Sequence, residues 1–105
     1  YDCFAFHQAN GLILKKIARK LKIPADKMPM TLPKFGNTSG ASPLLTLCDT
    51  YGGVENELLK TMIVGFGVGI SWGVTSIEIN TSDILPIIED DHIFTEGLIQ
   101  SVSEL

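Results

Sequence analysis

The stretch LLKTMIVGFGVGISWGVTSIEI, residues 58–79, decides the fold. Leu58 to Phe66 and Trp72 to Ile79 are rich in β-branched and apolar side chains, the composition that suits a half-buried pleated surface. Gly67-Val68-Gly69 between them is short and glycine-rich, so the two runs read as adjacent strands joined by a tight corner.

Upstream, a helix is expected, with Ser42 as N-cap and Pro43 at the first helical position. Leu44, Leu45, Leu47, Cys48 and Tyr51 supply its buried side, and Gly52-Gly53 ends it. Before it, Pro33 and Gly36 force a turn that exposes Asn37, Thr38 and Ser39. Lys27 to Leu32 reads as a short extended segment despite Pro29. From Ala9 to Leu21 apolar residues recur at Ile13, Ile17 and Leu21, with Leu14 and Ala18 beside them. Lys15, Lys16, Arg19, Lys20 and Lys22 fill the other face, and Pro24 stops this amphipathic helix. Tyr1 to Phe6 reads as a buried strand that leads into a polar cluster, His7, Gln8 and Asn10. The expected order is β-α-β-α-β-β.

Beyond Asn80 the pattern weakens to Ile84, Leu85, Ile87 and Ile88, the acidic run Glu89-Asp90-Asp91, and then Ile93, Phe94, Leu98, Ile99 and Val102. Part of this reads as a short packed helix without chemistry. The chain divides accordingly into residues 1–79 and an acidic, apolar tail, 80–105.

At 105 residues the chain is the size of one ordinary domain, and it starts at Tyr1 without an initiator Met. A fragment, a processed chain and a trimmed piece all fit that start. An apolar content of 45% with mean hydropathy +0.25 implies that some surface expects a partner. No apolar stretch reaches the roughly 20 residues of a membrane span, and no signal peptide is visible. Cys3 and Cys48 stand apart with no metal-binding spacing, which favours buried free thiols and a cytoplasmic setting over a disulfide. Residues 1–52 hold seven Lys/Arg against three Asp/Glu, and residues 53–105 one against nine. The basic half suits a phosphorylated cofactor or an acidic protein, or is simply a solvated helix face; the acidic half argues against nucleic acid.

Three features are candidates for chemistry: His7 after a strand, Asn37 in a glycine-flanked turn, and the Gly65-Phe66-Gly67-Val68-Gly69 corner. Each has a plain structural reading, as a core histidine, a turn former and a hairpin bend. The corner lacks the Lys-Ser/Thr of a phosphate-binding loop and leads into a strand.

Together they say more. HQAN at 7–10, IP at 23–24, GNTSGAS at 36–42 and GFGVGISWG at 65–73 occur in one order that resembles the carboxy-terminal part of the β-ketoacyl-acyl-carrier-protein synthase III family. The likeness covers residues 1–79 and about the last quarter of that family's length. It implies an α/β, thiolase-like fold, here a partial carboxy-terminal half with a mixed β-sheet and packed helices.

The resemblance also implies a Cys-His-Asn triad in which His7 and Asn37 are the catalytic pair and the cysteine lies in an amino-terminal half outside this chain. In that scheme the thiolate takes an acyl group from a coenzyme A thioester. A malonyl thioester on the phosphopantetheine of acyl carrier protein then loses carbon dioxide and attacks the acyl-cysteine. Neutral donors, His7 Nε2–H and Asn37 Nδ2–H, would hold the developing enolate oxygen. The helix start just after His7 is expected to disfavour imidazolium and so to favour the neutral donor. The backbone N–H of Val68 falls where the family serves the acyl-cysteine carbonyl, a donor that survives only if the local φ stays negative, because the family commonly has glycine there.

The resemblance also implies that Asn10 matches a position that holds the pantetheine arm. Gly11-Leu12 replaces an arginine that often meets the carrier protein; Lys15, Lys16, Arg19 and Lys20 are the alternative positive surface, unless the acceptor differs. Cys3, within a strand, and Cys48, late in a helix, are expected to pack, and His92 to be solvated. The expected partners are acyl carrier protein, acyl-CoA, the amino-terminal half and a further copy of the chain, with neither membrane nor nucleic acid. By itself the chain is expected to be inactive. A condensing enzyme of secondary metabolism and a non-catalytic scaffold are the rival readings.

Overall fold

The run at the start of the chain becomes β1 (Cys3–Phe6) in the computed structural model, which describes residues 1–92. It is followed by α1 (Gly11–Leu21), a four-residue α2 (Leu32–Phe35), α3 (Ser42–Tyr51), β2 (Leu58–Gly67) and β3 (Ser71–Asn80). β1 pairs parallel to β2, Cys3 opposite Thr61 through Phe6 opposite Val64. β2 pairs antiparallel to β3, from Leu58 opposite Asn80 to Gly67 opposite Ser71, giving the order β1-β2-β3. The corner between them is Val68-Gly69-Ile70, with Gly69 at φ +83° and the β-branched Ile70 at φ +47°.

Alternation along the strands assigns a helix to each face. Cys3 and Ala5 point to one side and pack with Leu47 of α3, flanked by Tyr51 and Ile63. Phe4 and Phe6 point to the other and pack with Leu14 of α1 and Met28, flanked by Ile17, Ala18, Ile23, Val64 and Phe66. β1 and the first half of β2 are thus sandwiched, whereas β3 carries no covering helix among the described residues. Trp72 is 76% exposed as a result. This layered arrangement is the α/β fold with a mixed sheet that the sequence leads one to expect. No helix of the described residues is long and apolar enough to cross a membrane.

Four local expectations are corrected. α1 starts at Gly11 and not at Ala9, because the Asn10 carboxamide oxygen accepts from the Leu12 N–H at 2.8 Å and caps the helix. Its buried stripe centres on Leu14, while Ile13 and Leu21 are exposed: only the strip facing Phe6 meets a neighbour. Lys27 to Leu32 is not a strand. A 3-10 turn at Ala25–Lys27 is followed by an irregular segment whose Thr31 and Leu32 N–H groups, in place of a ladder, bond the Gln8 carboxamide oxygen at 3.0 and 3.3 Å. Ala41, not Ser42, is the N-cap of α3, and the Ser42 hydroxyl is used elsewhere.

Packing continues past residue 79. Asn80 caps a 3-10 turn at Thr81–Asp83, Thr81 exchanges two hydrogen bonds with Glu57, and Ile84 is buried. The chain then crosses the end of α3, where a Cβ built on Gly52 would fall 2.5 Å from Pro86 Cα and onto the Cys48 carbonyl oxygen. Both obstacles are backbone and cannot rotate away. Gly52→Ala should therefore cost about 1–3 kcal/mol, the range for overpacking, read as a lower urea midpoint of the 105-residue chain. An unchanged midpoint would mean that residues 84–86 do not lie on α3. The helix anticipated around Ile93 to Val102 lies outside the described residues.

Candidate active site

Because β1 and β2 run parallel, their carboxy-terminal ends share one edge of the sheet, the place where open α/β sheets bind ligands. At that edge His7, Asn37 and Val68 line one cavity of about 690 Å³ with Phe66 and Trp72. Asn10 is not among its lining residues; it sits exposed at the head of α1.

His7 follows β1 directly. Its N–H donates to the Val64 carbonyl at 2.8 Å, continuing the parallel ladder by one bond. The ring packs edge-on against Phe66, centroids 5.2 Å apart and planes at 78°, a favourable aromatic geometry. Nδ1 lies 2.7 Å from the Ser42 hydroxyl. Nε2 has no partner among the described residues, so the ring is held by one nitrogen and leaves the other for a ligand.

Asn37 arrives by a different route. α2 ends at Gly36, whose φ of +69° suits a residue without a Cβ, and the chain turns into the exposed loop that carries Asn37. The Asn37 side chain accepts a hydrogen bond from the Ser39 N–H at 2.9 Å. A backbone N–H can only donate, so the acceptor must be the amide oxygen, and the unengaged end is the NH₂ donor. The local turn thus fixes which way the carboxamide faces.

The glycine corner supplies room. A Cβ at Gly65, Gly67 or Gly73 would meet nothing within 4 Å, so packing among the described residues does not require glycine there. The space these glycines leave adjoins the cavity. Val68 is not among the residues with positive φ, which meets the condition set for its N–H to act as a donor, and its side chain is fully exposed.

Two further residues build this region: Gln8, expected only as part of a polar cluster, and Ser42, expected only as a helix N-cap. Gln8 is 1% exposed; its amide nitrogen donates to the Phe6 carbonyl at 2.9 Å while its oxygen holds Thr31 and Leu32. Ser42 is equally buried and touches His7, Gln8 and Ser39. The signal for them in the sequence is their presence inside HQAN and GNTSGAS, the segments that carry the histidine and the asparagine.

Cys3 is fully buried, and burial pushes its thiol above the ordinary range, as befits a packing residue. Cys48 is half-buried near the end of α3, and His92 is exposed. Lys15, Lys16, Arg19 and Lys20 form an exposed basic surface on α1.

Helices on both faces of a mixed sheet, with a histidine and a carboxamide brought to one cavity at its parallel strand ends, fit a partial carboxy-terminal half of a thiolase-like α/β fold. A family profile described as 3-oxoacyl-[acyl-carrier-protein (ACP)] synthase III C terminal matches residues 1–79. The beta-ketoacyl-[acyl-carrier-protein] synthase III of Streptococcus gordonii is 43% identical over 81 residues, 74% of this chain and 25% of that protein. That of Rubrobacter xylanophilus is 43% identical over 67 residues, 63% of this chain and 21% of the relative. The crystal structure of a 3-oxoacyl-(acyl-carrier protein) synthase from Burkholderia xenovorans LB400 superposes with a TM-score of 0.78 at 37% identity, covering 86% of this chain and 26% of that one. The chain belongs to the 3-oxoacyl-acyl-carrier-protein synthase III family, in its carboxy-terminal region. It spans about a quarter of the length of the curated relatives it matches.

Proposed function

We propose that residues 1–79 supply the decarboxylation side of a condensing acyltransferase that joins an acyl-CoA primer to malonyl-acyl carrier protein, the initiating step of fatty-acid synthesis. The observation that carries this reading is the shared cavity, into which Asn37 can offer amide hydrogens and His7 its unengaged Nε2. In the reaction, the malonyl carboxylate leaves as carbon dioxide and its C–C electron pair becomes an enolate. A protonated Nε2 of His7 and the Asn37 amide donate to the enolate oxygen, and the carbanion attacks an acyl-cysteine to expel the thiolate. The Val68 N–H serves the acyl-cysteine carbonyl.

Asn10, whose oxygen caps α1, keeps its NH₂ for the pantetheine arm. The basic surface of α1 meets the acidic carrier protein, taking the place of the arginine replaced by Gly11-Leu12. The nucleophilic cysteine comes from sequence outside this chain, and the chain alone forms no acyl-enzyme.

The test is a chimera in which residues 1–79 replace the matching quarter of the S. gordonii relative. It should condense acyl-CoA with malonyl-acyl carrier protein, while the 105-residue chain alone should not. A folded chimera that acylates its cysteine yet releases no carbon dioxide from the malonyl thioester would overturn the reading.

A further inference from the structure

The buried hydroxyl beside the imidazole decides which nitrogen of His7 carries the proton. A serine hydroxyl has one hydrogen and two lone pairs. Three groups lie within bonding distance of Ser42 Oγ: the Gln8 N–H at 2.9 Å, the Ser39 carbonyl at 2.8 Å and His7 Nδ1 at 2.7 Å. The Gln8 N–H can only donate, so it occupies a lone pair. The Ser39 carbonyl can only accept, so it takes the hydroxyl hydrogen. One lone pair is left for Nδ1, which must then bring a hydrogen of its own.

The competing arrangement turns the hydroxyl hydrogen toward Nδ1. The Ser39 carbonyl would keep the bond it receives from the Ser42 backbone N–H. Yet it would face Oγ at 2.8 Å with no hydrogen between the two oxygens, a separation too short for a water to bridge them.

We infer that Ser42 is a positioning residue that holds the proton of neutral His7 on Nδ1, so that the ring presents a bare Nε2 to the cavity. The neutral Nε2–H donor expected from the sequence is therefore not the tautomer this network favours. On the function proposed above, the consequence is specific. Nε2 accepts a proton while the ring is neutral, and it donates to an enolate oxygen only as imidazolium, with both nitrogens protonated.

The test does not rely on activity, so it stands or falls separately from the chimera. The ring-¹⁵N-labelled 105-residue chain is examined by long-range ¹H–¹⁵N correlation at a pH where its imidazoles are neutral. His7 should show a protonated Nδ1 and an unprotonated Nε2, while the exposed His92 provides the pattern of a freely exchanging ring. Ser42→Ala should move His7 toward the His92 pattern, and Ser42→Thr, which keeps the hydroxyl, should restore the wild-type one. A wild-type spectrum with the proton on Nε2 overturns the inference whether or not the variants fold. So does a His7 pattern left unchanged in a folded Ser42→Ala variant.

Discussion

Asn37→Asp in the S. gordonii chimera should lower the condensation rate by on the order of 10²–10³, the usual cost of removing one oxyanion donor. Aspartate keeps the oxygen that accepts the Ser39 N–H, so the turn survives and the fold should be untouched. What changes is the other end, where a donating NH₂ becomes a second anionic oxygen aimed at a site of developing negative charge. Acylation of the chimera's cysteine by acyl-CoA should be much less affected, because the proposed donor for that carbonyl is the backbone of Val68. His7→Ala should cost a comparable factor. Since the two donors serve one oxygen, the double variant should lose less than the product of the two single losses. Stopped-flow release of carbon dioxide with a separate acylation assay reads both steps. A loss under tenfold for Asn37→Asp in a folded chimera would remove Asn37 from the proposed site.

Gln8→Ala should be strongly destabilising. Its side chain makes three bonds to backbone groups, donating to Phe6 O and accepting from the N–H groups of Thr31 and Leu32. Truncation leaves these groups unpaired at a position 1% exposed and also opens a void. Each orphaned buried group costs about 1–3 kcal/mol, so a loss of about 3 kcal/mol or more is expected, measured by urea denaturation followed by circular dichroism. The change also reaches the site, because Gln8 anchors the start of α2 and α2 delivers Asn37. Gln8→Leu, which restores volume without the hydrogen bonds, should recover little. A near-wild-type midpoint for Gln8→Leu would show that the pocket needs only to be filled.

The elements legible in the sequence were those whose signal is local. β2, β3 and their corner follow from two β-branched runs around Gly67-Val68-Gly69, and the centres of α1 and α3 follow from apolar spacing and from Gly52-Gly53. His7, Asn37 and Val68 could be nominated because their order and spacing resemble those of a known family, and the structure brings all three to one cavity. Asn10 came from the same motif, yet it lies outside that cavity and caps a helix.

What the sequence determined by itself was therefore the set of elements whose signal lies within a few residues: the three strands, the centres of α1 and α3, and the turn after Gly36. Tertiary structure decided the rest, because a polar group is satisfied by whatever lies nearest in space. The segment 27–32 lost its strand because a glutamine twenty-three residues before Thr31 replaced the ladder. Ser42 left its expected cap because His7 and Gln8 claimed its hydroxyl. Leu14 was buried and Ile13 exposed because Phe6 stands opposite one and not the other. Long-range hydrogen bonding and contact leave no periodic trace along a chain, and they are what set the orientation of the imidazole, whereas the carboxamide is turned by its own local loop.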